Sequence, residues 1–521
     1  MWRYGTFTEN YAFECFDPHG KVQAQVAMTI FVTRAEEVAS PTRGLLPLWG
    51  GVAIYVLLIA AGNRLLFDPD TMWQITVGQW ILDHRAVPET DIYSFTMRGQ
   101  PWLSTQWLAQ VMYAKAFSIA GWAGVVVLAA SAITATFILL ATFLNRRLRD
   151  STTLVLMLTA FALTAGHLLA RPHVLAMPAL VAWMGGLIAA ADQRDAPSFW
   201  LLPLIALWSN LHGGFIFGLI MVVPVALDAV AGAEAGSRVS LALRWAVFGF
   251  AALLASCCTP YGWNALLASL KILALGSALP LITEWRPTDF GTIGAFEIVL
   301  LLGLGLALYR GVILPPTRIL LLIGLLHVAL AQRRAAEMLA LVAPLVLAVP
   351  LAKQIGGREG PASTSAASVL FASIAAALLG GTFAFASIHR FEPPSRNSPM
   401  KAVVELKELN LKHVFNDYDF GGYQIAHGVA TFIDGRTELY GEKFLIDHNV
   451  ASGLTEPDNL FRLLEQYKIE ATLLRTESAA TKLLDHVDGW KKIYSDEVAT
   501  IHLRKANAMH TAEPAVDARV K

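Results

Sequence analysis

Apolar stretches long enough to cross a bilayer recur along this chain, and in lipid such stretches must satisfy their own backbone as helices. About 20 mostly apolar residues cover ~30 Å of hydrocarbon. Runs of this kind lie at about 45–66, 122–144, 152–169, 174–191, 214–232, 241–258, 292–309, 317–331, 336–352 and 367–388. A shorter run at about 198–209 brings the expected number of spans to eleven. Only 15% of the 521 residues are charged, against about 25% in soluble domains, which excludes an ordinary cytosolic enzyme. Lys+Arg and Asp+Glu both number 40, so no basic excess points to nucleic acid as a partner. Cys15, Cys257 and Cys258 have no spacing suited to a disulfide framework or a thiolate metal site.

Orientation follows from the basic loops. Arg146, Arg147 and Arg149 form the strongest cluster, which places their loop in the cytoplasm. Alternation then puts 192–195, 238–244, 310–318 and 353–358 on the same side, with the amino end. The charged tail falls outside. Residues 1–390 carry 24 Lys+Arg against 20 Asp+Glu, and residues 391–521 carry 16 against 20. The expected division is a cytoplasmic extension at 1–44, a membrane domain at 45–390 with an outward loop at 67–121, a soluble domain at 391–505 and a disordered tail at 506–521. Residues 1–40 lack the h-region and cleavage site of a signal peptide, and Met28 is an alternative start.

Five outward segments collect polar residues at one face of the bundle. The first holds Asp68-Pro69-Asp70, followed by Trp73, Val77, Trp80 and Ile81 at helical spacing, which predicts an amphipathic helix lying in the interface plane. Residues 103–120 predict a second such helix, with Trp107, Val111 and Phe117 on one side and Gln106, Gln110 and Tyr113 elsewhere. Two carboxylates at i and i+2 can share a divalent ion, or one can hold metal while the other takes a proton. Alternatively, the Asp-Pro-Asp only caps the helix after it. The other outward polar residues are His167, Arg171 and His173; Asn210 and His212; Thr259 to Trp263 with Glu284 and Arg286; and Gln332, Arg333 and Arg334.

The order of these features resembles the GT-C glycosyltransferase superfamily, which includes protein O-mannosyltransferases, oligosaccharyltransferases and lipid A aminoarabinose transferases. More narrowly, it is similar to bacterial multi-span glycosyltransferase-like proteins. The resemblance spans roughly residues 45–505. It rests on Asp68-Pro69-Asp70-Thr71-Met72-Trp73, Gly78, Pro88-Glu89-Thr90-Asp91, Tyr93-Ser94, Trp102, Trp107-Leu108, Asn210-Leu211-His212-Gly213-Gly214, Pro260-Tyr261-Gly262, Glu284-Trp285, Asn416-Asp417-Tyr418, Gly421-Gly422-Tyr423 and Ile433-Asp434-Gly435-Arg436.

The resemblance implies a polytopic α-helical membrane protein: a GT-C-like bundle of about eleven spans with two interfacial helices and a small α/β C-terminal domain in the periplasm. The implied activity is sugar transfer from a polyprenyl-phosphate donor to a glycan, lipid or protein acceptor at the outer face of a bacterial inner membrane. Asp70, then Asp68, takes the place of the acidic residue that serves as base or metal ligand, and Mg or Mn is the ion such carboxylates would hold. The pattern departs after Trp102, where an expected His or acid is replaced by Thr105, Gln106 and Gln110.

Transfer from a lipid phosphate also needs cations for the leaving group. Arg171, Arg286, Arg333 and Arg334 lie where the topology rule predicts few, and the planar guanidinium suits phosphate. Arg333 and Arg334 could equally snorkel to lipid headgroups, Arg171 could terminate a helix, and His212 and His173 could be structural. Glu284 could bind acceptor hydroxyls or pair with Arg286. The rival reading is a non-catalytic lipid-linked glycan transporter or polysaccharide assembly factor. Transporters favour midplane ionisable residues and internal repeats, and neither is evident here.

In the tail, helix signals at 398–409, 457–468 and 477–486 alternate with strand-like runs at 413–416, 429–433, 471–475, 492–495 and 498–503. Asn416 to Tyr423 and Asp434-Gly435-Arg436 place polar residues at strand ends, where such domains often bind ligands, although Gly421-Gly422 and Asp434-Gly435 are also plain turn signals and Asp434 could simply pair with Arg436. An acceptor-handling or lid role is expected of this domain.

Overall fold

The computed structural model describes residues 4–16, 22–35, 45–357 and 367–505. The tail expected to be disordered, 506–521, lies outside them. Within the expected amino-terminal extension, the backbone of Tyr4–Phe16 pairs antiparallel with Val22–Ala35.

Each of the eleven apolar runs is helical. Among the described residues, four helices are long and apolar enough to cross a membrane: Trp107–Asn145, Pro172–Asp192, Ala235–Ser256 and Ala335–Ile355. Shorter apolar helices, among them Leu46–Ala60, Phe215–Ala231 and Pro316–Ala331, stand beside them. By length and composition alone, four helices, or five if the bent pair at 263–281 is one span, meet the requirement for a crossing, against the eleven spans expected. Trp107–Asn145 and Pro172–Asp192 pack together at the centre of the bundle. Phe137, Trp183, Trp208, Trp245 and Phe248 fill the interior. Away from the outward loops, buried Arg318 pairs with Asp192 and, at 2.9 Å, with Asp228, so a basic residue expected in an inward loop joins three helices instead.

Two expected interfacial helices take another form. Thr71–His84 is amphipathic as predicted, but protein covers its apolar face: Trp73, Val77 and Ile81 cluster with Trp102 and with Ile425 of the C-terminal domain. The second helix is the first part of Trp107–Asn145, set off from the spanning part by a break at Ala120–Gly121. Its polar side is the buried one. Gln110 and Tyr113 are fully buried, and Tyr113 donates from its hydroxyl to the Arg171 carbonyl.

The C-terminal domain carries a mixed sheet in the spatial order Val414–Asn416, Ala471–Arg475, Ala499–Arg504, Trp490–Ser495, with only the first pair parallel. The run at 429–433, expected as a strand, leaves this sheet. Its Thr431 amide donates to Tyr93 O while the Phe95 amide donates to Thr431 O, so it pairs with the outward loop. The proline-rich linker is also fixed in place: Phe391 is buried, the Glu392 amide donates to Asn63 Oδ1, and Asn397 Nδ2 donates to Phe67 O.

Arg436 locks the two parts together. Its fully buried guanidinium reaches Asp434 at 2.7 Å from its own domain and Asp91 at 2.5 Å from the outward loop. It also lies over the Tyr93 and Trp102 rings at 5.2 and 4.7 Å. The remaining carboxylate positions are filled by Tyr440, Thr431, Tyr93 N–H and Ser94, which is the condition for a buried charge cluster to hold. Arg436→Ala leaves two buried carboxylates without their counter-ion and is expected to cost about 3–5 kcal/mol. The readouts are a lower melting temperature in detergent and faster protease cleavage between the bundle and the C-terminal domain.

Candidate functional site

A cavity of about 570 Å³ opens between the outward ends of the helices and the C-terminal domain. Its lining includes Asp68, Asp70, Arg171, His173, His212, Glu284, Arg333 and Arg334, all singled out in the sequence. Arg286 is not among them. Its side chain is exposed and donates to Pro280 O at 2.8 Å, so the pairing considered for Glu284 does not form. Asn210 is a structural residue, accepting from Trp107 Nε1 and donating to Cys258 O.

Arg171 precedes the first residue of Pro172–Asp192, where no side chain caps the helix. Its guanidinium turns outward to three carboxylates: Nε to Asp68, Nη1 to Glu284, and Nη2 to Asp70 at 3.2 Å. Asp68 also accepts the Asp70 amide at 2.7 Å, which holds the Asp-Pro-Asp turn. Asp70 sits at the start of Thr71–His84, but its side chain makes no cap bond. Its Oδ1 accepts instead from Trp73 Nε1 at 3.0 Å. The capping alternative therefore fails for Asp70, whose carboxylate is presented to the cavity.

Burial pushes the Asp70 carboxyl up to about 7; the Trp73 indole pulls it down, and Glu284 pushes it up again. Burial also pushes Glu284 up, but Arg171 and Arg334 outweigh it and keep Glu284 below its ordinary value. Burial and neighbouring charges thus separate two carboxyls in strength, the arrangement from which acid and base roles arise.

The floor of the cavity is cationic. Arg334 lies over the Trp285 ring at 5.1 Å, with Nη2 3.4 Å from His212 Nε2. The Arg333 and Arg334 amides donate to the carbonyls of Arg286 and Glu284, so the backbone of both arginines is held by the 284–286 segment. His212 Nδ1 accepts from the Gly214 amide at 3.0 Å. Burial and Arg334 keep its pKa well below the usual value. A neutral His212 accepting at Nδ1 carries its proton on Nε2, so His212 and Arg334 point two donors at one place, which an anion satisfies.

The C-terminal domain forms the roof with Tyr418, Asp419, Gly435, Thr437, Glu438 and His448. The sequence marked Asp434-Gly435-Arg436 and Tyr418 as strand-end polar residues but missed Glu438, His448, Gln74 and the buried Glu337. Glu438 carried a signal, lying two residues past the marked turn. Among the described residues, no three His, Cys, Asp or Glu side chains are placed to hold a metal, and the three nearest carboxylates turn onto Arg171.

Two glycines permit the close approach. A Cβ on Gly422 would stand 2.2 Å from Pro69 O, and one on Gly435 would stand 1.9 Å from Asp70 Oδ1. Gly435→Ala is therefore expected to push the roof off Asp70 and cost about 1–3 kcal/mol. Gly453→Ala, whose nearest neighbour would be 3.8 Å away, is the control. Thermal unfolding of both variants in detergent checks this.

No family model matches the chain, and no curated protein matches its sequence. Among solved structures, the chain is similar to the archaeal oligosaccharyltransferase AglB from Archaeoglobus fulgidus, in complex with an inhibitory peptide and a dolichol-phosphate. The TM-score is 0.49 and the identity 10%, over 83% of this chain and 70% of that one.

Proposed function

We propose that the protein is a membrane glycosyltransferase that moves a sugar from a polyprenyl-phosphate carrier to a glycan, lipid or protein acceptor at the outer face of a bacterial inner membrane. The observation that carries this reading is the division of one cavity into a cationic floor at the helix ends and a carboxylate wall beneath the C-terminal domain. The same reading takes residues 45–390 as the membrane domain and 391–505 as its outward cover.

The carrier phosphate sits between Arg333, Arg334 and the His212 Nε2 proton, with its prenyl chain in lipid. The acceptor hydroxyl approaches Asp70. Its oxygen forms the new bond to the anomeric carbon as the bond from that carbon to the phosphate oxygen breaks. The hydroxyl proton passes to the Asp70 carboxylate, and the electron pair leaves with the carrier phosphate, stabilised by the arginines. Asp68 and Glu284 hold Arg171, and through it Asp70, in place. No step is routed through a metal.

A base with pKa about 7 is half ionised there, and only its carboxylate accepts the proton, so the rate rises with pH through 7 and falls away below it. Asp70→Asn is expected to lower sugar incorporation from membrane lipid donors by about 10²–10⁴-fold and abolish that pH step. Asp68→Asn should have a smaller effect, through Arg171. Wild-type incorporation in both variants would leave the non-catalytic transporter or assembly factor as the better account.

A further inference from the structure

Away from the arginines, the cavity wall changes character. Trp73, Gln74, Gln106, Thr437 and Glu438 line it, offering amides, a hydroxyl, a carboxylate and an indole but no cation. Glu438 is carried in the first turn of Thr437–Gly453, two residues after the Arg436 lock. Its Oε1 accepts from Trp102 Nε1 at 3.0 Å. The Trp102 ring in turn meets Trp73 edge-on at 6.3 Å. The Glu438 carboxylate also accepts from its own backbone N–H.

The facing amides form a directed chain. Ser104 Oγ donates to Gln110 Oε1 at 2.7 Å, Gln110 Nε2 to Gln74 Oε1 at 2.8 Å, and Gln74 Nε2 to Gln106 Oε1 at 3.4 Å. The chain ends at Gln106, whose Nε2 has no side-chain partner among the described residues. A carboxylate, an amide and an indole lining one cavity are groups that bind the hydroxyls and the ring face of a sugar. Where a His or an acid is expected after Trp102, the chain has Thr105, Gln106 and Gln110, and a carboxylate reaches Trp102 from the C-terminal domain.

We propose that Glu438 and Gln106, with Trp73 beside them, form a carbohydrate-binding subsite at the domain junction, which holds the hydroxyls of a sugar ring while the carrier phosphate lies at the arginines. This deepens the glycosyl-transfer reading and rests on it. Glu438 is a binding residue whose position depends on the lock, so the site is incomplete without the C-terminal domain. Burial pushes the Glu438 carboxyl up while the Trp102 bond and Arg436 draw it down, as suits a carboxyl that shares protons with hydroxyls.

The test uses full-length protein in detergent, titrated with glucose, mannose, galactose or N-acetylglucosamine while tryptophan fluorescence is followed. At least one sugar should give a saturable change. Glu438→Gln, which keeps the shape and the Trp102 bond, and Gln106→Ala should each weaken binding by about tenfold. Gly453→Ala, away from the cavity, should bind as wild type does. Melting temperatures confirm that the variants fold, and Glu438→Gln remains informative if Glu438→Ala does not. No response to any of the four sugars, or undiminished binding in both Glu438→Gln and Gln106→Ala, overturns the subsite. Sugar binding that depends on Glu438, in a protein with no transfer from lipid donors, upholds the subsite and sinks the transferase reading. Transfer with no Glu438 or Gln106 dependence does the reverse.

Discussion

One guanidinium organises the outward face. Arg171 leaves the start of a central helix and draws together Asp68 and Asp70 of the first outward loop and Glu284 of a much later one. Burial raises the Asp70 carboxyl most, and the charge of Glu284 adds to it, whereas Arg171 and Arg334 hold Glu284 low. The strength of the candidate base thus follows from its burial beside other acids.

The second charge cluster works differently. Arg436 meets two aspartates, nearly every lone pair is filled, and aromatic rings close the remaining sides. Its unit is a joint between domains. The 272–281 segment forms another joint, where Ser277 N donates to Glu442 Oε1 at 2.8 Å and Leu275 and Ala278 join the core around Tyr440 and Leu445. The cavity walls therefore come from elements far apart in sequence, each held by its own polar or apolar contact.

Much of this was legible in the chain. Helix positions followed from apolar periodicity, and the outward residues converge because they sit at helix ends on one side. Local pattern could not say what covers an amphipathic helix: Trp73, Val77 and Ile81 read the same whether lipid or Ile425 lies above them. It also misassigned 429–433, whose alternation fits any partner strand and which pairs with residues 93–95. Arg286 was indistinguishable from Arg334 until Trp285 and His212 selected between them. Glu438 was passed over because a lone acid in a helical first turn is ordinary, and its meaning lies in Trp102, 336 residues away.

The Arg436–Asp91 contact joins residues 345 positions apart, and that distance is also an interval in time. At about 5–20 residues per second of synthesis, the outward loop waits roughly 17–70 s for its cation. During that wait Asp91 must stay hydrated, and the aromatic faces of Tyr93 and Trp102 stay open. The cavity is then completed from the carboxyl-terminal side, after the helices that floor it are already made. A chain stopped between Arg334 and Tyr418 carries every residue of the cationic floor and lacks the roof.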